Sequence, residues 1–265
     1  MKKRKKSNLK RKLREEKMKK LREKLTRTSV VNVIYNMIGM TEKDLGISFN
    51  EDEKELLVTA MYSEYSTLNK DVGQIRTEHD LYRVMKSAYE RLDSTISGIV
   101  FDDGAKITCS KGCSYCCHQY ISVSVPSLLM VARNIDKSCL KDIDQFMDYE
   151  SPCMFLKDHK CEIYPDRPFP CRWYFSVRPS SLCEETYIQL KPNMKYNMPA
   201  IVVAHGHVTD AITDFVFDSY GYQRIYTQNM IQLIKDYFND DSFMKKWLNK
   251  EWMDYGSDIK RIQAE

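Results

Sequence analysis

Seven of the nine cysteines lie in two short groups, and this clustering constrains the fold more than any other feature of the chain. Thiolates are soft ligands for zinc, iron and iron–sulfur clusters, and cysteines a few residues apart close on one ion with little loss of loop entropy. The sequence therefore predicts one metal centre whose ligands are Cys109, Cys113, Cys116, Cys117, Cys153, Cys161 and Cys171.

The cysteines are expected to be free thiols rather than disulfides, because their number is odd and two of them are adjacent. The N-terminus is basic and lacks the apolar stretch and cleavage site of a signal peptide. The apolar segment 30–38 is too short for a membrane span and is interrupted by two asparagines, so it is interpreted as core. We expect a cytoplasmic protein without a transmembrane segment, where thiols stay reduced.

The charge is divided unevenly along the chain. Residues 1–28 contain fifteen Lys or Arg and three Glu, whereas the rest of the chain is acidic overall. Apolar residues recur in this arm at roughly helical spacing, so residues 2–27 could form an amphipathic helix against a polyanion, either a nucleic acid or an anionic surface. The alternative is a solvated, partly disordered extension that attracts polyanions without specificity.

The pattern of apolar residues predicts a mainly α-helical fold with short β-strands and an irregular, cysteine-rich, metal-stapled centre. Helical periodicity marks residues 51–70, 79–97, 121–135 and 222–250, and short strands are predicted at 173–175 and 200–204. There is no internal repeat and no alternation of strands and helices long enough for a barrel or a doubly wound sheet.

Changes in charge, apolar periodicity and cysteine content along the chain predict four segments. They are the basic arm 1–28, a helical segment 29–104, the cysteine-cluster metal-binding region 105–185, and a mostly helical C-terminal segment 186–265 that packs on it. Three prolines near Cys171 stiffen its loop, which lowers the entropy lost when a thiolate is fixed.

The detail of the first cysteine group leaves several roles open. Cys113 and Cys116 have the two-residue gap that chelates a single ion, and Gly112 allows backbone N–H groups to approach sulfur. Cys117 is next to Cys116, and the side chains of neighbouring residues rarely point at the same ion. Three roles therefore stay open for Cys117: it binds a second metal, it bridges two metals, or it remains a free thiol. Seven thiols also exceed the four that one tetrahedral ion or one cubane cluster needs.

Several other residues could act at the metal site or could have an ordinary structural or surface role. Arg167 and Arg172 could offset thiolate charge, or form surface salt bridges. His118 and His159 are candidates for contacts behind the ligands, and Cys139 and Cys183 are interpreted as structural. His205 and His207 could add ligands or a general base, but a turn with two surface histidines is favoured by the usual exposure of such residues. No catalytic triad, phosphate-binding glycine loop or paired catalytic carboxylates can be argued.

Both cysteine groups, in their order and spacing, resemble the YkgJ-type cysteine-cluster family of zinc- or iron-chelating domains. The resemblance spans about residues 105–176 and is carried by Cys109-Ser-Lys-Gly-Cys113-Ser-Tyr-Cys116-Cys117 and by the segment from Cys161 to Arg172, with its Tyr-Pro-Asp-Arg-Pro-Phe-Pro-Cys-Arg run. It implies that the matching cysteines bind metal, and it assigns no reaction.

Three further hypotheses concern what the metal does. One branch of the family resembles flagellin lysine-N-methylase, which implies an iron–sulfur enzyme that uses S-adenosylmethionine on a protein substrate. The Cys109, Cys113, Cys116 spacing, with Tyr115 before the last cysteine, also resembles radical S-adenosylmethionine enzymes. The third hypothesis is a non-catalytic zinc site that stabilises a binding or scaffold protein.

Overall fold

The computed structural model describes residues 29–102, 113–118, 121–146, 151–174, 183, 200–227, 230–251 and 253. The arm 1–28 and Cys109 with Gly112 lie outside these residues. The chain divides into two compact units, residues 1–62 and residues 63–265. The expected four segments remain a prediction.

The described part is mainly α-helical with short β-strands, which confirms the predicted fold class. Its helices are α1 (Ser29–Leu45), α2 (Glu51–Val72), α3 (Glu78–Asp102), α4 (Val125–Ala132), α5 (Phe169–Trp173), α6 (Ala200–Ser219), α7 (Met230–Asn239) and α8 (Phe243–Leu248). Short 3-10 helices occupy Tyr115–His118, Lys137–Phe146 and Tyr164–Asp166. None of the described helices combines the length and apolar character needed to cross a membrane.

The first unit contains α1 and the start of α2. Val31, Ile34 and Ile38 follow one another at helical spacing and are buried, which confirms the prediction that this apolar segment is core. Gly46 ends α1 with a positive φ of 61°, the left-handed conformation that favours glycine after a helix. Asn50 and Glu53 then exchange side-chain hydrogen bonds with each other's backbone N–H groups, forming the capping box that starts α2.

The second unit is built around α3, α4 and α6. The apolar stripe predicted on α3 is confirmed, because Leu81, Val84, Met85, Ala88, Tyr89 and Leu92 are all buried. Every residue of α4 is also buried. The α6 helix packs against both α3 and α5. These contacts form the scaffold on which the cysteine segments lie.

Two pairs of strands connect the irregular segments. Strand β1 (Val123–Ser124) pairs antiparallel with β4 (Tyr226–Thr227), and β2 (Leu156–Lys157) pairs antiparallel with β3 (Lys160–Cys161). The turn of the second hairpin consists of Asp158 and His159, which have positive φ values of 48° and 58°. This left-handed conformation is required in a two-residue hairpin turn, and Asp and His tolerate it better than most residues.

Two predicted strands are wrong. Residues 200–204 begin the α6 helix, and Trp173 ends the α5 helix while Tyr174 follows as its cap. A short apolar run does not distinguish a buried strand from a buried helix by periodicity, and its β-branched residues favoured the strand. In the predicted helix 121–135, residues 123–124 form strand β1 and the helix covers only Val125–Ala132.

Candidate metal centre

The described cysteines of the two groups lie on short, irregular elements beside the helical scaffold. Cys116 and Cys117 are in the 3-10 helix that Cys113 precedes, Cys161 ends strand β3, and Cys171 is in the middle of α5. Cys113, Cys116, Cys117, Cys153, Cys161 and Cys171 are all free thiols and all partly exposed. Free thiols are the form of cysteine that can become metal ligands.

Two contacts bring the first cysteine group next to the second. The backbone N–H of Cys153 donates a hydrogen bond to the carbonyl oxygen of Cys117 at 2.7 Å. The Oγ of Ser114 lies 3.5 Å from Nδ1 of His159, at the tip of the β2–β3 hairpin. Residues separated by more than thirty positions in sequence are thereby neighbours, although Cys109 itself is not described.

Neighbouring thiols contribute to the raised pKa values of Cys153, Cys161 and Cys171, and Cys116 contributes to all three. A hydrogen bond with the Cys117 side chain is the largest cause of the raised pKa of Cys116, and burial adds to it. Burial raises the pKa of Cys153 to about 11, with contributions from Cys161 and Cys116. Burial also raises the pKa of Cys171 well above its usual value, with contributions from Cys153, Cys116 and Cys161. The pKa of Cys161 is raised chiefly by burial and in part by Cys116. Cys116, Cys153, Cys161 and Cys171 are therefore called the thiol quartet.

Backbone N–H groups bond to two sulfurs of the thiol quartet. The N–H of Phe155 hydrogen-bonds to the thiol of Cys153, and the N–H of Ile163 does the same for Cys161, lowering the pKa of each thiol. In both cases the donor lies two residues after the cysteine. Such N–H donors favour the charged thiolate and orient it for a metal. From the sequence this role was expected only of the backbone near Gly112. Phe155 and Ile163 were missed because a backbone donor has no residue-type signature.

The two arginines beside Cys171 have different environments. The Arg167 guanidinium lowers the pKa of Cys116, Cys161 and Cys171, opposing the effects of burial and of neighbouring thiols. It also lies over the ring of Tyr164, 4.0 Å from the centroid. Arg172 is instead buried, and it pairs at 2.6 Å with Asp93, whose side chain is half exposed. Arg167 is therefore the cation that faces the thiols.

The donor chemistry fits a soft metal, because four free thiols share a partly buried, positively compensated environment. Within the described residues, no three side chains of His, Cys, Asp or Glu are arranged so that they could hold one metal ion. Cys109 lies outside that search. Outside the two groups, Cys183 is buried, and the side chain of Cys139 is not described.

The histidines of α6 differ from the sequence expectation. His205 lies inside a helix and is 5% exposed, so the predicted surface turn is wrong. Burial lowers the pKa of His205 to about 4, which keeps its imidazole neutral at neutral pH. His207 packs edge-on against Trp173, with ring centroids 6.4 Å apart. The surface prediction failed because the preceding apolar run was assigned to a strand that ended before these histidines.

Comparison with protein families identifies the cysteine region. Residues 108–195, about a third of the chain, match the family model CxxCxxCC, described as "Putative zinc- or iron-chelating domain". This segment contains both cysteine groups, so the family resemblance expected from the sequence is confirmed. No curated protein and no solved structure matched the chain.

Proposed function

Because residues 108–195 match the CxxCxxCC family of zinc- or iron-chelating domains, we propose that this chain binds zinc or iron through its clustered cysteines. We take its ligands from among the seven clustered cysteines, namely the thiol quartet together with Cys109, Cys113 and Cys117. The hydrogen bond between Cys153 N–H and the Cys117 carbonyl carries this proposal, because it joins the two cysteine groups at a fixed distance.

The electrostatics of the quartet support a cation at this place. Several partly buried thiols close together resist losing their protons, which agrees with the raised pKa values of Cys153 and Cys171. A bound divalent metal reverses this preference, because it compensates the thiolate charges directly. Arg167 supplies one positive charge, which is too little for four thiolates. Metal binding is therefore the arrangement in which the four sulfurs are stable together as thiolates.

Four thiolates suit either a tetrahedral zinc ion or an iron–sulfur cluster. Anaerobic purification followed by metal and sulfide analysis distinguishes these two centres. A brown protein with equal iron and sulfide indicates a cluster, and a colourless protein with one zinc per chain indicates a structural ion. If a cluster is found, a spectral change on adding S-adenosylmethionine supports the enzyme hypothesis with a protein substrate, and its absence supports a binding or scaffold role.

The ligand assignment is tested by replacing each member of the thiol quartet with serine. We expect every variant, for example Cys161→Ser, to lose most of its bound metal, since a hydroxyl is a poor ligand for a soft ion. Cys183→Ala is the matched control, because it removes a buried cysteine that lies outside both groups. Full metal content in the quartet variants, or equal loss in the control, would contradict the assignment.

A further inference from the structure

One buried side chain joins the segment that carries Cys171 to helix α3. Arg172 is 5% exposed. Its Nη1 donates to Oδ2 of Asp93 at 2.6 Å, and its Nη2 donates to the carbonyl oxygen of Pro165 at 2.5 Å. Its guanidinium also lies over the ring of Tyr89, 3.9 Å from the centroid. Arg172 thus contacts both helix α3 and the 3-10 helix that contains Pro165.

The face of α3 that receives Arg172 makes two more contacts with the same segment. Lys86, Tyr89 and Asp93 are spaced by three and four residues, so they lie on one side of the helix. Lys86 pairs with Asp166 at 3.5 Å, and the ring of Tyr89 meets that of Phe169 edge-on, with centroids 4.7 Å apart. We call the set of Lys86, Tyr89, Asp93 and Arg172 the α3 clamp.

On the cysteine segment, the residues that contact α3 alternate in sequence with residues that lie near the thiols. Asp166, Phe169 and Arg172 contact α3, whereas Arg167 and Cys171, which lie among them, belong to the thiol environment. A shift of the segment along α3 would therefore displace a thiol and its counter-charge together. Because Asp93 already neutralises Arg172, the clamp contributes geometry to the centre rather than charge.

Lysine cannot replace arginine in this geometry. The planar guanidinium presents several fixed donors, so one side chain reaches Asp93 and the Pro165 carbonyl simultaneously while stacking on Tyr89. A lysine ammonium keeps the charge but lacks the planar fork. Desolvation of the buried guanidinium and solvent screening of the half-exposed Asp93 both reduce the net stability that this pair adds, so its main consequence is expected in the position of the segment.

We propose that Arg172 is a positioning residue of the metal centre, which fixes Cys171 relative to the other thiols and thereby sets the affinity and geometry of the bound metal. This inference rests on the proposed function, namely that the cysteines bind metal. Arg172 acts through the segment from Pro165 to Cys171 and is not itself a ligand.

The test compares Arg172→Lys and Asp93→Asn with a matched control on the same helix. Arg91 forms a two-pronged ion pair with Glu64, with both bonds at 2.7 Å, and Arg91→Lys disrupts it in the same way. Zinc affinity is measured by competition with a chelator, and the absorption bands of the cobalt-loaded protein report ligand geometry. Each variant is measured well below its own melting temperature, so that loss of stability is separated from loss of position.

We expect both Arg172→Lys and Asp93→Asn to weaken zinc affinity roughly 10- to 100-fold and to shift the cobalt bands, as is typical when groups behind metal ligands are changed. Arg91→Lys should keep affinity and spectrum unchanged. If Arg172→Lys does not fold, Asp93→Asn decides the matter, since it preserves the shape of the partner.

Wild-type affinity and spectrum in both variants would overturn the inference, as would an equal loss in Arg91→Lys. The proposed function fails separately. If the wild-type protein binds none of zinc, cobalt or iron, both proposals fall. If binding depends on the thiol quartet but not on Arg172, only the positioning role is lost.

Discussion

The helical scaffold and the cysteine segment 151–174 are held in place by different kinds of contact. In the scaffold, α3 packs against both α4 and α6 through buried apolar side chains. In the cysteine segment, the contacts include a short hairpin, one backbone bond to Cys117, and the polar and aromatic contacts of the α3 clamp.

This difference indicates which region should depend on metal. Close apolar packing stabilises the scaffold independently of any ion. Cys153 and Cys171 in the cysteine segment instead have raised pKa values, so they favour the protonated thiol. A bound cation favours the thiolate and reverses this preference. We therefore expect scaffold substitutions to act on folding, and metal removal to act mainly on the cysteine segment.

The largest effect is expected from Gly206→Ala, where the scaffold helix α6 meets helix α5 of the cysteine segment. A Cβ at this position would lie 2.2 Å from Cγ of Trp173, closer than atoms can approach, so α5 and α6 must separate. We expect a loss of about 3 kcal/mol in the free energy of unfolding, the upper part of the range for overpacked sites. Urea denaturation measures this loss.

Gly98→Ala is the matched control for that experiment. Gly98 also lies in a helix of the second unit, and an added Cβ meets nothing within 4 Å. Alanine there should raise stability by roughly 0.5–1 kcal/mol, because glycine is the poorer helix former. Equal effects of the two substitutions would show that the contact between Gly206 and Trp173 is not a close one in solution.

Metal removal should affect the cysteine segment more than the scaffold. We expect chelation to increase hydrogen exchange in residues 151–174 while exchange in α3 and α6 changes little. Local opening of residues 151–174 should become easier by about 2.7 kcal/mol when the metal had been present at one hundred times its dissociation constant. Uniform loss of protection across α3, α6 and the cysteine segment would instead indicate that the metal holds the entire unit together.

The two regions were predictable from the sequence to different degrees. The stripe from Leu81 to Leu92 was predictable because helical spacing of apolar residues directly reflects one buried face. The cysteine groups were predictable because several thiols at short spacing in one chain are typical of a metal site. The start of α6 was missed, since Ile201, Val202 and Val203 are β-branched, and the burial of Val202 and Val203 within a helix comes from tertiary packing.

The α3 clamp was beyond sequence reasoning for a different reason. Arg172 was noticed only for its position next to Cys171, and its partner Asp93 lies 79 residues earlier in the chain. A charge pair at this separation has no local pattern, and Tyr89 was assigned simply to the apolar stripe. Only the packing of α5 on α3 brings these residues together.

A smaller effect is expected from Asp210→Asn on α6. Burial raises the pKa of Asp210 well above its usual value of 3.8, and the neighbouring Asp214 raises it further. The folded protein therefore holds a proton that the unfolded chain releases above about pH 3.8, so this carboxyl lowers stability as the pH rises. Asparagine should increase stability at pH 7 by about 1 kcal/mol and give no advantage at pH 3.

Thermal denaturation of both proteins across this pH range measures the difference. Asp218→Asn is a suitable control, because Asp218 is exposed on the same helix. A stability gain for Asp210→Asn that persists at pH 3 would show that its effect does not come from the carboxylate charge. Since Asp210 belongs to the scaffold, zinc affinity should be the same in both variants.

The smallest effect on the folded body is expected from deleting residues 2–28, which contain the basic arm. The arm supplies positive charge to a chain that is otherwise acidic, so the deletion should weaken binding to a polyanion such as heparin. The loss should be greatest at low salt, because phosphate or sulfate contacts release counterions and their contribution falls as salt rises.

Metal content and melting temperature should stay the same, since the arm contains no cysteine. Unchanged heparin affinity would exclude a polyanion-binding role for the arm, whereas a fall in metal content would extend the metal-dependent region beyond the cysteine segment.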